Sequence, residues 1–389
     1  MSTYISSNAN RLYAAMESSC GAASSVTATN RFPTKGLRAH QSVQTTRRLD
    51  KTGTRTYLGA SIQGRRNTVF ATQSYLTSWT GIASPACGIL FQAALGAPPS
   101  ANSGLTIASV AGLVQFQTAA AHGLSVGAGV SFGNEVRFVS AIVDSGTFSI
   151  NAPFSTPPKP GSVLSACVTY APGTALPSVT IYDYWDPVSA VGRCLVGAAV
   201  DVLNVSVNGD FHEFSFAGPA ADLLDSSTFT PGTAGLASYP VEPSLSTFDY
   251  SLVPGHLGQV WLGAPASQFF TLTGASIEVK NNIAMRNSEY GSSYPLAVTP
   301  GNREVISRFA LLAQDDAQTT ALYAAAKARV PMPMMLQLGQ CQGQTMGIYM
   351  PQVVPELPMY TDSEPRLEWE FQNNLAQGLS NDEIYIAFA

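Results

Sequence analysis

Hydrophobic and polar positions alternate along most of this chain in short runs, the pattern of β-strands with one buried face. Two such runs, 203–207 and 211–216, flank Asn208-Gly209, a dipeptide that readily supplies the positive φ angles of a tight hairpin turn. A β-branched and aromatic run over 68–79 predicts another strand. Further strands are predicted at 269–272, 276–279, 304–312, 334–338, 346–350, 367–371 and 384–388. The pattern therefore predicts a mainly β fold.

One segment departs from this alternation and predicts the single helix of the chain. Residues 314–329 are rich in alanine, the best helix former. Asp315 and Asp316 lie near the N-terminal end, where the helix dipole favours negative charge, and Lys327 and Arg329 lie near the opposite end. Pro331 prevents continuation.

Turn-rich borders set off residues 101–172 from the rest. Proline and glycine punctuate the chain at 98–104 and again at 172–173. Between these borders, the segments 114–117, 129–132, 136–139 and 147–150 each alternate at period two. We expect 101–172 to form an inserted small β-barrel or sandwich, within a main domain made of 1–100 and 173–389.

The charge distribution points to self-association. Charged residues make up only 12% of the chain, about half of the share in an average soluble protein. Residues 1–66 contain ten bases and two acids (+8), and the other 323 residues contain ten bases and 23 acids (−13), which together give −5. Because charge is depleted in buried interfaces, and because a basic arm can attract an acidic neighbour, we expect copies to associate head to tail.

The basic arm lies between residues 31 and 66 and has few large apolar side chains, so it cannot bury a face of its own. It is expected to form an extended loop or a protruding hairpin. Nucleic-acid binding and a merely solvated loop are alternatives, but only Phe32 and Tyr57 could stack on bases. We favour a protein–protein arm, whose candidate contacts between subunits are Arg47, Arg48, Lys51, Arg55, Arg65 and Arg66.

Motifs for catalysis are weak. Residues 123–127 match G-x-S-x-G and follow His122, but a nucleophile elbow requires a helix after Ser125, and a strand-like run follows instead. Asp183, Trp185 and Asp186 resemble a carbohydrate-processing patch, although a strand end with a turn explains them better. We interpret 123–127 as a glycine turn between strands and the segment around Asp183 as a strand end. No catalytic residue is assigned.

Cofactor, metal and membrane sites are not predicted either. The chain shows no P-loop or dinucleotide fingerprint, its four histidines are not paired, and its five cysteines lack CxxC spacing. The cysteines fit a reducing compartment. No apolar run reaches the length needed to cross a bilayer, and no signal segment is recognised. We expect a protein without enzymatic activity, cofactor or membrane partner, made in the cytoplasm.

The order of several soft motifs resembles the major tail tube proteins of long-tailed bacteriophages. The resemblance covers most of the chain outside 101–172. It rests on 52–57, on the hairpin 207–218, on the strand 274–282 with its paired Asn281 and Asn282, on the Pro-Gly-Asn-Arg turn 300–303, on the helix, and on 346–351.

This resemblance implies a tail-tube-type β-sandwich with one packed helix and a long protruding loop at 34–66. It implies that six copies close into a ring by sheet continuation, and that rings stack through the loop into the tail tube that conducts DNA during ejection. The implied partners are further copies, other tail proteins (tape measure, terminator and distal tail) and genome DNA, which passes without specific binding. The implied location is the virion tail. The insert departs from the family pattern and is expected on the outer wall.

Two other functions stay open. A tail-tip or fibre-associated binding module would engage a host receptor through the insert, at low copy number and as trimers. A wall-degrading hydrolase would depend on Ser125 or Asp183.

Overall fold

The structure, a computed structural model of the 389-residue chain, describes residues 4–46, 51, 53–56, 62–79, 85–187, 190–244, 251–362 and 365–389. The described residues form mainly antiparallel strands with two α-helices and two single-turn 3-10 helices.

The described residues of the first half of the chain form fifteen strands and one α-helix. They are β1 (Asn10–Met16), β2 (Gly36–Thr46), β3 (Ile62–Tyr75), α1 (Gly88–Leu95), β4 (Ser100–Asn102), β5 (Ile107–Ala111), β6 (Gln115–Thr118), β7 (Gly129–Phe132), β8 (Glu135–Asp144), β9 (Thr147–Ile150), β10 (Cys167–Tyr170), β11 (Val179–Trp185), β12 (Arg193–Ala198), β13 (Val202–Val207), β14 (Glu213–Ala220) and β15 (Asp222–Asp225). The 3-10 turns are Ala28–Asn30 and Thr233–Gly235.

In the second half, the part of the chain that the structure describes forms eleven strands and the longer helix. They are β16 (Gly258–Leu262), β17 (Ser267–Phe269), β18 (Leu272–Lys280), β19 (Ala284–Met285), β20 (Val298–Thr299), β21 (Glu304–Leu312), α2 (Ala317–Ala328), β22 (Met332–Leu338), β23 (Met346–Val354), β24 (Met359–Thr361), β25 (Glu368–Ala376) and β26 (Tyr385–Phe388).

Strand β23 divides the large sheet into two layers. Its first residues, 346–349, pair with β26, whereas Val353 and Val354 pair with β25. One layer therefore runs β4-β10-β26-β23-β22-β16-β17, and the other runs β25-β21-β18-β13-β14-β3-β2. A smaller sheet, β1-β11-β12-β15, contributes side chains to the same core, and helix α1 lies in that core.

The mainly β prediction and the helix at 314–329 are confirmed. The Asp316 side chain caps α2 by accepting a hydrogen bond from the Thr319 amide at 2.6 Å, and Arg329 ends the helix in the left-handed conformation. The prediction of a single helix is wrong, because α1 is also present. Helix α1 is apolar on nearly every side, and Phe91 at its centre contacts Phe214 and Phe216 with ring centroids 5.1 and 5.2 Å apart. A helix buried all round shows no amphipathic period.

The hairpin around Asn208 is confirmed as β13–β14, and Asn208 has the expected positive φ of 66°. Its turn is not tight, however, because ladder pairing begins only at Ser206 and Glu213. The loop opens because Phe211 forms a β-bridge with Pro254, and because the buried His212 donates from Nε2 to the Leu257 carbonyl at 3.0 Å. Tertiary contacts thus override the local turn preference.

Asn281 and Arg303 belong to two of the motifs that carry the family resemblance. Their side chains bind the segments through which the chain enters and leaves 101–172. The Asn281 side-chain amide donates to the carbonyls of Ala94 and Val200 at 2.8 and 2.9 Å. Arg303 donates to the Gly173 carbonyl at 2.6 Å and pairs with Glu383 at 2.8 Å. These contacts satisfy backbone carbonyls at the end of α1 and beside the crossing chains.

The five-stranded sheet β5-β6-β9-β8-β7 lies within the predicted insert, whose boundaries stay a prediction. The flanking strands β4 and β10 pair with each other, and β10 also pairs with β26 of the large sheet. The chain therefore enters and leaves this region side by side.

A buried charge network fixes the five-stranded sheet on the large sheet. Arg137 of β8 is fully buried and pairs with Glu135 at 3.0 Å. Its guanidinium also donates to the side-chain oxygens of Gln259 (2.9 Å) and Gln337 (3.1 Å) on the large sheet. Burial lowers the pKa of Arg137 to about 10, while the charge of Glu135 opposes that change.

We predict that Arg137→Met destabilises the chain by about 3–5 kcal/mol, since it leaves the Glu135 carboxylate buried without its cation. The double variant Glu135→Gln/Arg137→Met should cost less, because both charges are gone. Thermal unfolding checks both variants. Equal losses of stability in the single and the double variant would show that the unpaired Glu135 carboxylate is not the cause of the loss.

Stability should also fall with acid because of His212. Burial is the main cause that lowers its pKa below the ordinary 6.5, and His256 adds to it, while the bond to Leu257 opposes it. The neutral ring is favoured in the folded chain, so the contribution of His212 is complete above pH about 6.5 and is lost as pH falls further. Chemical unfolding at pH 7.5 and 5.5, compared between the parent and His212→Gln, tests this. A variant that loses as much stability as the parent would contradict it.

Candidate functional site

The basic segment lies on a two-stranded ribbon at one end of the large sheet. Strand β3 pairs with β14 only as far as Thr68, opposite Ala220, whereas its pairing with β2 continues to Thr46 and Ile62. Residues 42–46 are exposed. The ribbon therefore extends past the body, and β2 is the outermost strand of its layer.

The structure places the six candidate contact residues in three situations. Arg47 and Arg48 lie outside the described residues. Lys51 and Arg55 are described and exposed. Arg65 and Arg66, at the root of the ribbon, contact the same chain: Arg65 donates from Nη2 to the Ser288 carbonyl at 2.9 Å, and Arg66 forms an ion pair with Asp222.

The Arg66–Asp222 pair clamps the ribbon to the smaller sheet. Arg66 Nη1 lies 3.2 Å from Asp222 Oδ2, and the Asp222 side chain is only 8% exposed. Gln41 of β2 donates to Asp222 Oδ1 at 2.6 Å, and the Arg66 amide donates to the Ser293 carbonyl at 2.7 Å. The charge of Arg66 is therefore compensated within the chain, and its role between subunits stays a prediction.

Strand β24 forms the other end of the same layer, next to β25. Met359 and Tyr360 of β24 are 59% and 56% exposed. The Tyr360 ring stacks on Trp369 with centroids 5.7 Å apart, and Trp369 contacts Tyr323 of α2 at 5.4 Å. This edge is therefore apolar and held in place by aromatic packing.

The chain around β24 is acidic. Residues 355–371 contain five acids and one base, a net charge of −4. Glu370 on β25 accepts a hydrogen bond from the Thr361 hydroxyl of β24 at 2.9 Å. Hydrophobic alternation did not indicate this edge, although a local count of charges would have shown that 355–371 is acidic.

Between the two ends, the outward face of the sheet is polar and its charges are paired. Gln73, Ser215, Asn204 and Glu278 lie directly opposite one another on adjacent strands, so they share one face. Arg308 and Lys280 each lie 3.1 Å from a Glu278 carboxylate oxygen.

The ion pairs also determine the state of Glu278. Partial burial alone would raise the pKa of Glu278, but Lys280 and Arg308 lower it below its ordinary value. The carboxylate is therefore ionised at neutral pH.

The residues considered for catalysis have other partners. His122 accepts from the Leu124 amide at Nδ1 (2.9 Å) and donates from Nε2 to the Asp144 carbonyl (3.0 Å), so both ring nitrogens are engaged by backbone. Ser125 precedes β7 in a loop. Asp183 is fully buried and pairs with Arg193 at 2.5 Å. The structure does not bring these residues together in a hydrogen-bonded triad.

The residues that the structure describes contain no group of three or more His, Cys, Asp or Glu side chains placed to hold a metal ion. None of the helices in this part of the chain is long and apolar enough to span a bilayer.

Comparison with known proteins gave little. No protein-family model matches the chain, and no curated protein matches it. Among solved structures, the chain is similar to the SPP1 tail tube determined by solid-state NMR and cryo-electron microscopy, with a TM-score of 0.27 and 13% sequence identity, over 34% of this chain and 80% of that one. A similarity of this size establishes neither a shared family nor a shared function.

We predict that Arg66→Met destabilises the chain by about 1 kcal/mol, because it removes the cation from a nearly buried carboxylate while the exposed side of the pair is screened. Arg65→Met is the matched control, and its loss of one exposed hydrogen bond should change the unfolding midpoint little. Denaturant unfolding measures the free energy of unfolding of both variants and tests this difference. If the two variants are equally stable, Arg66 does not clamp the ribbon.

Proposed function

We propose that this chain is a structural subunit that polymerises into a bacteriophage tail tube, as stacked rings of six copies that conduct DNA during ejection. The observation that carries the proposal is the layer that ends in β2 on one side and in β24 on the other, with basic residues at the first end and acidic residues at the second. The family resemblance of the motif order supports the same function.

Open strand edges favour lateral association. An outermost strand presents unpaired N–H and C=O groups, and pairing with another copy satisfies them. Because β2 and β24 differ, the contact is head to tail, and a head-to-tail contact produces a closed ring when the rotation between copies fits. Ring closure leaves no lateral edge open.

Charge selects which edges meet. The segment 31–66 carries nine bases and one acid, Asp50, whereas 355–371 carries a net −4. Opposite charges accelerate correct encounters and disfavour contact between two identical edges. The protruding ribbon, with Lys51 and Arg55 beyond its described strands, is then available to reach an adjacent ring.

The polar outward face suits a DNA channel. Along this face, Glu278 is paired with Lys280 and Arg308, so few cations are free to hold phosphates. Tight DNA binding requires several uncompensated Lys or Arg contacts with phosphates. We propose that this face lines the lumen and that DNA passes along it without specific binding.

The remaining parts of the proposal follow from assembly. Other tail proteins (tape measure, terminator and distal tail) would contact the tube, which would reside in the virion tail after assembly in the host cytoplasm. We propose no catalytic, cofactor or membrane role.

A receptor-binding tail-tip or fibre module is the second candidate function, favoured by apolar side chains exposed on the insert, such as Leu113 (60%) and Val143 (57%).

The test is reversal of the arm charges other than those at the root of the ribbon. Arg47, Arg48, Lys51 and Arg55 are changed together to Glu in the full chain, and Arg66 is kept because of Asp222. We expect the variant to fold normally by circular dichroism but to lose long particles in sedimentation and electron microscopy, with the parent forming tubes that shorten as salt rises.

A control neutralises two bases on the paired face, Lys280→Gln and Arg308→Gln, which should leave particle length nearly unchanged. Tubes of normal length from the arm variant would show that the arm charges do not join the copies. Isolated trimers of the parent would favour the receptor-binding module.

A further inference from the structure

The outer surface of the insert is almost uncharged. Residues 101–172 contain four charged side chains, which are Glu135, Arg137, Asp144 and Lys159. Glu135 and Arg137 are buried against the large sheet, so Asp144 and Lys159 are the two that lie on the exposed surface. Soluble surfaces normally carry many dispersed charges, and charge is depleted where proteins meet.

The five-stranded sheet of the insert has two open backbone edges. On β8, residues 140–144 extend past the end of β7 and all five are exposed. On β5, the backbone of Ile107 is hydrogen-bonded to Gly161 and Ser162, whereas the outer backbone edge of 108–111 has no described strand beside it. Within the insert, all of which the structure describes, 140–143 and 108–111 make no backbone hydrogen bond outside their own ladders.

The exposed edges lack two of the features that usually prevent pairing, charge and proline. Neither 108–111 nor 140–143 contains a lysine, a proline or any charged residue, and Ile142 and Val143 are 38% and 57% exposed. Both strands carry a register irregularity, at 107–109 on β5 and at 139–144 on β8, and such bulges are another protective feature. Two edges without charge or proline on one sheet are therefore candidate interaction surfaces.

The two remaining charges identify the partner. Asp144 ends the β8 edge, and Lys159 lies in the turn whose Gly161 amide donates to the Ile107 carbonyl at 2.8 Å, at the start of the β5 edge. Each edge thus has one charge, of opposite sign. This arrangement matches a second copy of the same sheet placed head to tail, because each contact would place an acid near a base.

We propose that the inserts of neighbouring copies pair edge to edge, 108–111 of one copy against 140–143 of the next, forming a second lateral contact outside the main sheet. The Arg137 network holds the insert in a fixed orientation, so its edges keep a constant direction relative to the body. The inference adds to the proposed function but does not require a hollow tube.

The test is disulfide trapping in the full chain. Ala111→Cys and Ser140→Cys, both at exposed positions that face each other when 108–111 and 140–143 pair antiparallel, are combined in a Cys341→Ser background that removes the exposed native thiol. Under a mild oxidant, the double variant should lose most of its monomer band and give a ladder beyond the dimer on a non-reducing gel. Each single variant should stay monomeric, because a head-to-tail contact does not bring identical positions together.

A charge placed in the edge separates pairing from random collision. Val143→Lys added to the double variant should abolish the ladder, whereas Val126→Lys, on an exposed loop of the same insert, should leave it intact. Thermal unfolding confirms that both variants fold.

Each outcome of these experiments supports or overturns the proposal. A ladder together with tubes supports the edge contact within the proposed tube, and a ladder without tubes supports the contact while removing the tube function. Tubes without a ladder overturn the contact and leave the tube. A ladder that survives Val143→Lys, or dimers from a single variant, also overturns it, as does a monomeric insert that binds a host-surface receptor instead.

Discussion

The unsatisfied backbone of the outermost strands is the constraint on which this structure depends. In the layer that runs from β24 through β25 to β2, every inner strand is paired on both sides, while the last strand at each end presents N–H and C=O groups to the surroundings. Water can satisfy these groups, but a neighbouring strand does so with cooperative side-chain contacts as well. A chain with only 12% charged residues has little with which to protect such edges. Association is therefore the expected use of them.

Several buried charges and amides of the interior have their partners within the same copy. Asn281 and Arg303 bind the carbonyls where the chain crosses to and from the insert, and Arg137 neutralises Glu135 beneath the five-stranded sheet. Asp222 likewise binds Arg66 at the root of the ribbon. Buried charges that are paired inside one copy contribute to rigidity and not to contact with another. Lys51 and Arg55 of the arm and Asp362 beside β24 are among the charges that remain exposed.

The sequence alone was sufficient for α2 and for strands such as β13, β21 and β23, since an alanine-rich run with acidic residues at its start and alternation at period two are local signals. It was not sufficient for β1 or β12, and the strand predicted at 269–272 instead spans the end of β17 and the start of β18. Helix α1 could not be predicted from periodicity because Phe91 and its neighbours are buried on nearly every side. Which edges are free also could not be predicted, because β23 changes partner within one strand and because Arg66 and Asp222 are 156 residues apart. Sequence patterns indicate which residues form strands, but the order of strands depends on contacts between distant segments. The charge of the arm was visible, whereas the internal use of Arg66 was not.

Hydrogen–deuterium exchange along β2 tests the central claim most directly. The amides of residues 36–46 that point away from β3 are measured in dilute, unassembled protein and again in assembled particles, with α1 amides as the internal reference. The account predicts fast exchange of the outward amides in dilute protein and strong protection after assembly, with α1 equally protected in both states. Outward β2 amides that exchange at the same rate in both states would show that this edge takes no partner, and would contradict assembly through the open ends of the sheet.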